Sequence, residues 1–439
     1  MTPTVAERGP VARNQVRREA PRRTFDRARF RKVAASPWSV GTVSLIVYLF
    51  VVHSYKINLG TTAIVLGLFG VLVHERPIRV SPAMYWFAGY LAWALIGVPG
   101  SVDASSSFTA WTDTLKILLI MFLALNAIRT PAQHRLITLA WLGMFAFYPV
   151  RGTLFNFLSG AGSFGRYGWN FVFSNFNDMA ALTLIPLAMS LERLRSTDKK
   201  WVKACALAGL IVLPFIILIT QSRAGEMGLA LMMLYLLTNS RYKARLFVAM
   251  LAIAGVALAF APKSVWDRIR GMSYLTSVET LGLSDSSAEQ RYVIWQVAEK
   301  IIADNPVSGV GIGAYSRVHE QYAFLKPEWD IAKGPRDTHS TYLHVLAETG
   351  VIGLALFLMI FFSAFYELQT FAKKAKKSTL AVDRQLRDRC QAYQAALIGL
   401  TICAVFGSMQ TMVFPFLLIA MGAAAVRTDR TLAIAAAAG

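Results

Sequence analysis

Cysteine occurs three times in 439 residues, as Cys205, Cys390 and Cys403, too few and too scattered for a disulfide scaffold or a metal site. Charge is also scarce: 16% of residues are charged, against about a quarter in a soluble domain. With 55% hydrophobic residues, among them 27 Phe, 15 Met and 10 Trp, a water-soluble fold would carry more apolar surface than it could bury. The same composition excludes disorder. No unit repeats at a period of about 20–50 residues, which excludes a solenoid. Acidic residues are the scarcest charged class, 25 against 45 Lys and Arg, for a net charge of +20. A nucleic-acid binder would gather such charge on one face of a domain. Here it sits in short segments between apolar runs, as the positive-inside rule describes for membrane proteins. The chain reads as an all-α polytopic membrane protein.

Crossing the hydrocarbon takes about 20 mostly apolar residues. Twelve stretches qualify, near 38–54, 57–73, 83–99, 112–128, 135–150, 175–191, 203–220, 224–238, 245–261, 343–366, 391–408 and 410–426. The fourth is the weakest, because Lys116 interrupts it. Alternate connections on one side hold about 31 of the 45 basic residues, which makes that side cytoplasmic and turns both termini inward. The chain divides into a basic cytoplasmic tail (1–37), nine spans (38–261), a long outer loop (262–342), three further spans (343–426) and a cytoplasmic tail (427–439). The first segment is Arg-rich without a short apolar core or small-residue cleavage site, so a retained arm lying on anionic lipid is expected rather than a signal peptide.

Two outer segments stand apart. Residues 151–174 are rich in Gly and aromatics, and 262–342 is too long for a mere connector. Within the latter, Ser286 can cap a helix running to about Ile302, with Tyr292, Trp295, Ala298 and Ile302 on one buried or membrane-resting face. Asn305-Pro306 ends it, and the run SGVGIGAY follows. Gly309, Gly311 and Gly313 lack the Lys of a P-loop and the strand context of a dinucleotide fingerprint. They are expected to allow a tight turn or a close backbone approach.

Three residues fall on the outer side at similar depth: Arg223 in ITQSRAGE, Arg291 in SSAEQRYVIW and His339 in RDTHSTYLHVLAETG. Singly, an Arg at a helix end can snorkel to headgroups and a loop His can be merely solvated. Together, two guanidiniums offer bidentate forks for a phosphate or pyrophosphate. An imidazole with an ordinary pKa of about 6.5 can take a proton from a hydroxyl. Glu226 shares a helix face with Arg223 and could orient it. His344 and His319 are weaker candidates for the base. Arg151, Arg166, Gln221 and Tyr342 are the further substrate-binding candidates. No Asp-x-Asp pair and no ligand-like His/Asp/Glu spacing occurs in an outer segment, so neither a metal nor another cofactor is expected.

The QSRAG segment, the loop with its EQR, NPVSGVGIGAYS and THSTYLHVLAETGVIG together resemble the O-antigen ligase and polymerase superfamily over roughly residues 165–365. That resemblance implies a glycosyltransferase-C-like fold in a bacterial inner membrane, with the active site on the periplasmic face and 262–342 as a large, mostly helical periplasmic loop. The family's essential Arg, Arg and His fall on Arg223, Arg291 and His339. The donor would be a preassembled glycan on undecaprenyl pyrophosphate and, for a ligase, the acceptor a sugar hydroxyl of lipid A–core. A polymerase would use the same donor with a different acceptor, and an O-oligosaccharyltransferase would glycosylate protein. A secondary transporter would place its charges at the bilayer midplane and show repeated halves. Here mid-span charge is sparse and no halves match.

Overall fold

A computed structural model describes all residues except 1–36, 56–57, 76, 197, 240–242, 260–265, 267–285, 377–380 and 438–439. The expected basic arm and the early part of the long loop therefore lie outside the described residues. What is described is all-helical, without a strand; the one β feature is an isolated bridge between Ser163 and Arg166. Among the described residues there are fifteen α-helices: α1 (Val40–Ser54), α2 (Gly60–His74), α3 (Pro82–Gly97), α4 (Ala104–Ala127), α5 (Pro131–Phe145), α6 (Arg151–Leu158), α7 (Phe176–Arg195), α8 (Lys200–Thr220), α9 (Arg223–Asn239), α10 (Lys243–Ala259), α11 (Ser286–Asp304), α12 (Tyr315–Ala323), α13 (Thr341–Lys376), α14 (Ala381–Cys403) and α15 (Val413–Ala437).

Each expected apolar stretch is helical. By length and composition α4, α8 and α13 can cross a membrane, and α1, α2 and the Val413–Thr428 part of α15 are apolar but shorter. Large apolar side chains such as Phe69, Ile96, Ile211 and Phe362 stand exposed on the outside of the bundle, as suits a surface bathed in lipid.

The structure moves two boundaries. Helix α4 starts well before residue 112, because the Asp103 carboxylate caps it by accepting the Ser106 N–H at 3.1 Å. Its Lys116 pairs with Asp113 at 2.6 Å on the exposed face. Residues 151–158, expected in an outer connection, instead prolong a helix: α5 passes through a π turn (Ala146–Val150) straight into α6. Pro149 lies in that turn. Lacking an N–H, it cannot bond in the α ladder, and a π turn absorbs the fault.

Helix α14 is the centre of the bundle, packed against α7, α9, α13 and α15. Its Arg389 reaches Glu192 of α7 at 2.5 Å. The buried Glu192 also pairs with Arg193 and accepts from the Tyr393 hydroxyl at 3.3 Å. This ionic knot closes one end of α7; the candidate site lies at the other.

Candidate functional site

The site is built on a break. Helix α13 carries a non-helical residue, Gly350, at φ 65° and ψ −172°. A break of this kind strands backbone groups that must find other partners. The carbonyls of Ala347 and Glu348 accept the N–H groups of Val310 and Gly311, each at 2.9 Å. The Thr349 carbonyl accepts the Trp93 indole at 2.8 Å, and the Val351 N–H donates to Pro306 at 2.9 Å. So the glycine run lies along the break, backbone to backbone. A Cβ on Gly309 would fall 2.3 Å from the Glu348 carbonyl carbon, and one on Gly350 would fall 2.0 Å from the Val307 oxygen. The close approach expected of these glycines is what the chain makes.

The short stretch of α13 before Gly350 carries His344 and Glu348, and His339 lies just ahead of it. His339 is a non-glycine residue with φ 50°, a conformation that must be held by its surroundings. The holding group is Asp337, whose Oδ1 accepts the His339 N–H at 3.2 Å, the Ser408 hydroxyl at 2.5 Å and His344 Nδ1 at 3.3 Å. Thr338 closes a second local turn by accepting the Ser340 N–H at 3.1 Å. The 404–409 turn grips the same segment from α14, with the Thr341 N–H donating to Ala404 at 2.8 Å and Gly407 at 2.9 Å.

Helix α11 brings Arg291 to this place. Its Trp295 indole donates to the Thr338 carbonyl at 2.8 Å and stacks on Phe406, with centroids 6.1 Å apart. Arg291 lies one turn earlier on the same face. Burial lowers the His339 pKa below the ordinary imidazole range, and the positive charges of Arg291 and Arg336 lower it further, against an opposing pull from Asp337. Burial works against ionisation of Asp337, but hydrogen bonds from His344, Ser408 and His339 outweigh it and hold that carboxyl well below the usual range. The His339 imidazole therefore feels a fixed anion and guanidinium charges at once.

The buried face of α11 differs from the expected one. Val293, Ile294, Val297, Ala298 and Ile301 form its core stripe against Tyr315, Trp329 and Ala347, with Trp295 and Ile302 packed at its margin, while Tyr292 is 46% exposed. The aliphatic stripe of the helix thus packs on a core that holds Tyr315 and Trp329 among smaller side chains, and Trp295 flanks it.

Arg223 opens α9, where the helix N-terminus adds positive potential of its own. Ser222 accepts the Gly225 N–H at 3.2 Å and donates to Asn177 at 2.9 Å. Gln221, at φ 51°, donates to the Gly165 carbonyl at 2.7 Å. Arg166 donates to the Thr220 carbonyl at 2.9 Å and to Asn177 at 3.2 Å, and lies over the Phe176 ring at 4.6 Å. Gln221 and Arg166 thus pin the 163–169 segment to the turn that presents Arg223. Asn177 joins that turn to α7, whose Asp178 lies within the electrostatic reach of Asp337.

Two candidates stand apart from this cluster. Arg151 bonds the Phe147 carbonyl at 3.0 Å and covers the Phe147 ring, a contact within its own helix. Tyr342 donates to the Thr401 carbonyl at 2.8 Å and lines an apolar cleft with Phe357, Phe361 and Met409. His319 is fully buried between the Tyr315 hydroxyl and the Ala332 carbonyl, each at 3.0 Å, a packing role. Sequence reasoning passed over Asp337, Ser408 and the part played by His344. The Asp-x-His spacing was the available signal, since an Asp side chain readily accepts the N–H two residues on.

Residues 208–358, which hold Arg223, Arg291 and His339 together, match the family model described as O-antigen ligase. That stretch, about a third of the chain, is similar to the O-antigen ligase family. Members of that family are glycosyltransferase-like and act on lipid-linked glycans, and the apolar helices α4, α8 and α13 have the length and composition to cross a membrane. No curated protein matches the chain.

Proposed function

We propose that the protein is an O-antigen ligase that transfers a preassembled glycan from undecaprenyl pyrophosphate to a sugar hydroxyl of lipid A–core, at the periplasmic face of a bacterial inner membrane. In this reading twelve spans carry the chain with both termini cytoplasmic, 262–342 is the periplasmic loop, and the architecture is glycosyltransferase-C-like. The observation that carries it is the juxtaposition of His339 with Arg291 on segments joined by the Trp295–Thr338 hydrogen bond. A neutral base beside a guanidinium is what transfer from a pyrophosphate donor requires.

Arg291 and Arg223 hold the donor pyrophosphate, with Arg166 and Gln221 shaping the Arg223 turn. The acceptor hydroxyl attacks the anomeric carbon as His339 takes its proton. The bond between that carbon and the pyrophosphate oxygen breaks, and undecaprenyl pyrophosphate leaves with the bonding pair, its charge held by the arginines. His339 then returns its proton to solvent. Energy comes from the donor bond, so neither nucleotide nor gradient is needed.

The test is to incubate the purified protein with undecaprenyl-pyrophosphate glycan and lipid A–core in detergent with EDTA. Joined product without a gradient or a divalent cation is expected. Lengthened donor glycan in its place would make the protein a polymerase, and activity that returns only with magnesium or manganese would overturn the arginine account.

A further inference from the structure

The base proposed above sits in a conformation it would not adopt alone, and the group that keeps it there is itself held. Asp337 reaches His339 through the backbone N–H, not the ring, so it sets where the imidazole stands rather than handling its proton. The carboxylate is fixed in turn from α13. His344 Nδ1 lies 3.3 Å from Asp337 Oδ1, and His344 Nε2 lies 3.1 Å from Glu348 Oε1. Both ring nitrogens therefore face carboxylate oxygens, and both need a hydrogen to donate. Glu348 is anchored too, accepting the Tyr315 N–H at 3.2 Å, and it lies beside the Gly350 break. His344 is largely shielded and packs on the Tyr315 ring, with centroids 5.2 Å apart. It has no route to the reacting atoms except through Asp337.

We propose that His344 is a positioning residue for glycan transfer: an imidazolium clasped between Asp337 and Glu348, it fixes the carboxylate that holds His339 in its left-handed conformation. This rests on His339 being the base. The charged and titratable groups around the two histidines are then Arg291 from α11 and Arg336 acting on His339, Asp337 shared by both, and Glu348 and the Tyr315 ring against His344, with Asp178 of α7 acting on Asp337. The cation of His344 offsets part of the Asp337 charge felt by His339.

A merely structural His344 would affect the amount of folded protein alone. A positioning residue affects turnover and the pH at which turnover begins. In His344→Gln, kcat should fall about 10²-fold, the usual cost of a base misplaced by about 1 Å, with the donor KM little changed. The acid limb of its pH–rate profile should move up, because the Asp337 charge is no longer offset. In Asp337→Asn the limb should move down, because the anion is gone.

The measurement is release of undecaprenyl pyrophosphate by full-length purified protein across a pH series, with His339→Gln alongside. Wild-type kcat and an unmoved limb in folded His344→Gln overturn the proposal. Should that variant not fold, the Asp337→Asn limb decides, and an unmoved limb there overturns it equally. A His339→Gln enzyme that turns over removes the base itself, and the positioning role with it. An inactive His339→Gln beside unmoved limbs removes the positioning role alone.

Discussion

The Trp295 indole donates to the Thr338 carbonyl at 2.8 Å, so the helix that carries Arg291 is fastened to the residue preceding His339. Trp295→Phe keeps the ring against Phe406 and removes the donor. A carbonyl left without its partner costs about 1–3 kcal/mol. The expected outcome is a lower Tm and at least a tenfold loss in kcat/KM for transfer, read by a thermal scan and a product assay. Unchanged kcat/KM would mean that the two segments keep their register without this bond.

The pH dependence follows from the lowered pKa of His339, caused by burial and then by Arg291 and Arg336. A base works only when unprotonated, so turnover should be full above that lowered pKa and lost as pH falls through it. The acid limb then lies below the ordinary imidazole value of about 6.5. Arg291→Gln removes one of the charges responsible and should raise the limb in whatever activity survives. A wild-type limb above 6.5 in the pH–rate profile would contradict the assignment.

Lysine should not stand in for either arginine. It keeps the charge and loses the planar fork that matches two phosphate oxygens. Arg223→Ala and Arg291→Ala should each lower kcat by about 10²- to 10³-fold, with the Lys variants recovering only part. Near-normal ligation by correctly inserted Ala variants would place the pyrophosphate elsewhere.

Glu192 provides the contrast. Its removal leaves Arg193 and Arg389 facing one another in the buried knot at the far end of α7, which typically costs about 3–5 kcal/mol. Glu192→Ala should therefore lose thermal stability while the folded fraction keeps its kcat and its pH profile. A shifted profile would show that the two ends of α7 are coupled.

The helices were legible because apolar runs announce themselves regardless of what they pack against. Charge counts give the expectation that Arg223, Arg291 and His339 share one side, and residues 208–358, a stretch that includes all three, match the family model described as O-antigen ligase. The break at Gly350 was not, since an apolar segment containing a glycine reads as one helix until its partner, the 306–313 run, is in view. Asp337 was hidden for a similar reason: its role is fixed by Ser408 and His344, one remote in sequence and the other one turn into the next helix. On α11, the spacing of aromatics drew attention to Tyr292, whereas the buried stripe is aliphatic and packs against Tyr315 and Trp329. Residues 151–158 read as part of an outer connection, whereas the π turn at Ala146–Val150 carries the helix through them and Arg151 bonds back to Phe147.

At Gly350 the backbone of α13 trades its own ladder for bonds to the 306–311 strip. The helix and the loop are consequently one object in the mechanical sense: α13 cannot straighten without peeling the strip away, and the strip cannot lift without breaking three backbone hydrogen bonds. Tilting or sliding of α13 within the bilayer is therefore transmitted to His339 and His344 as a rigid displacement. A bilayer of altered thickness should register at the chemistry, while a change confined to the Lys326–Arg336 stretch, which carries none of these bonds, should not.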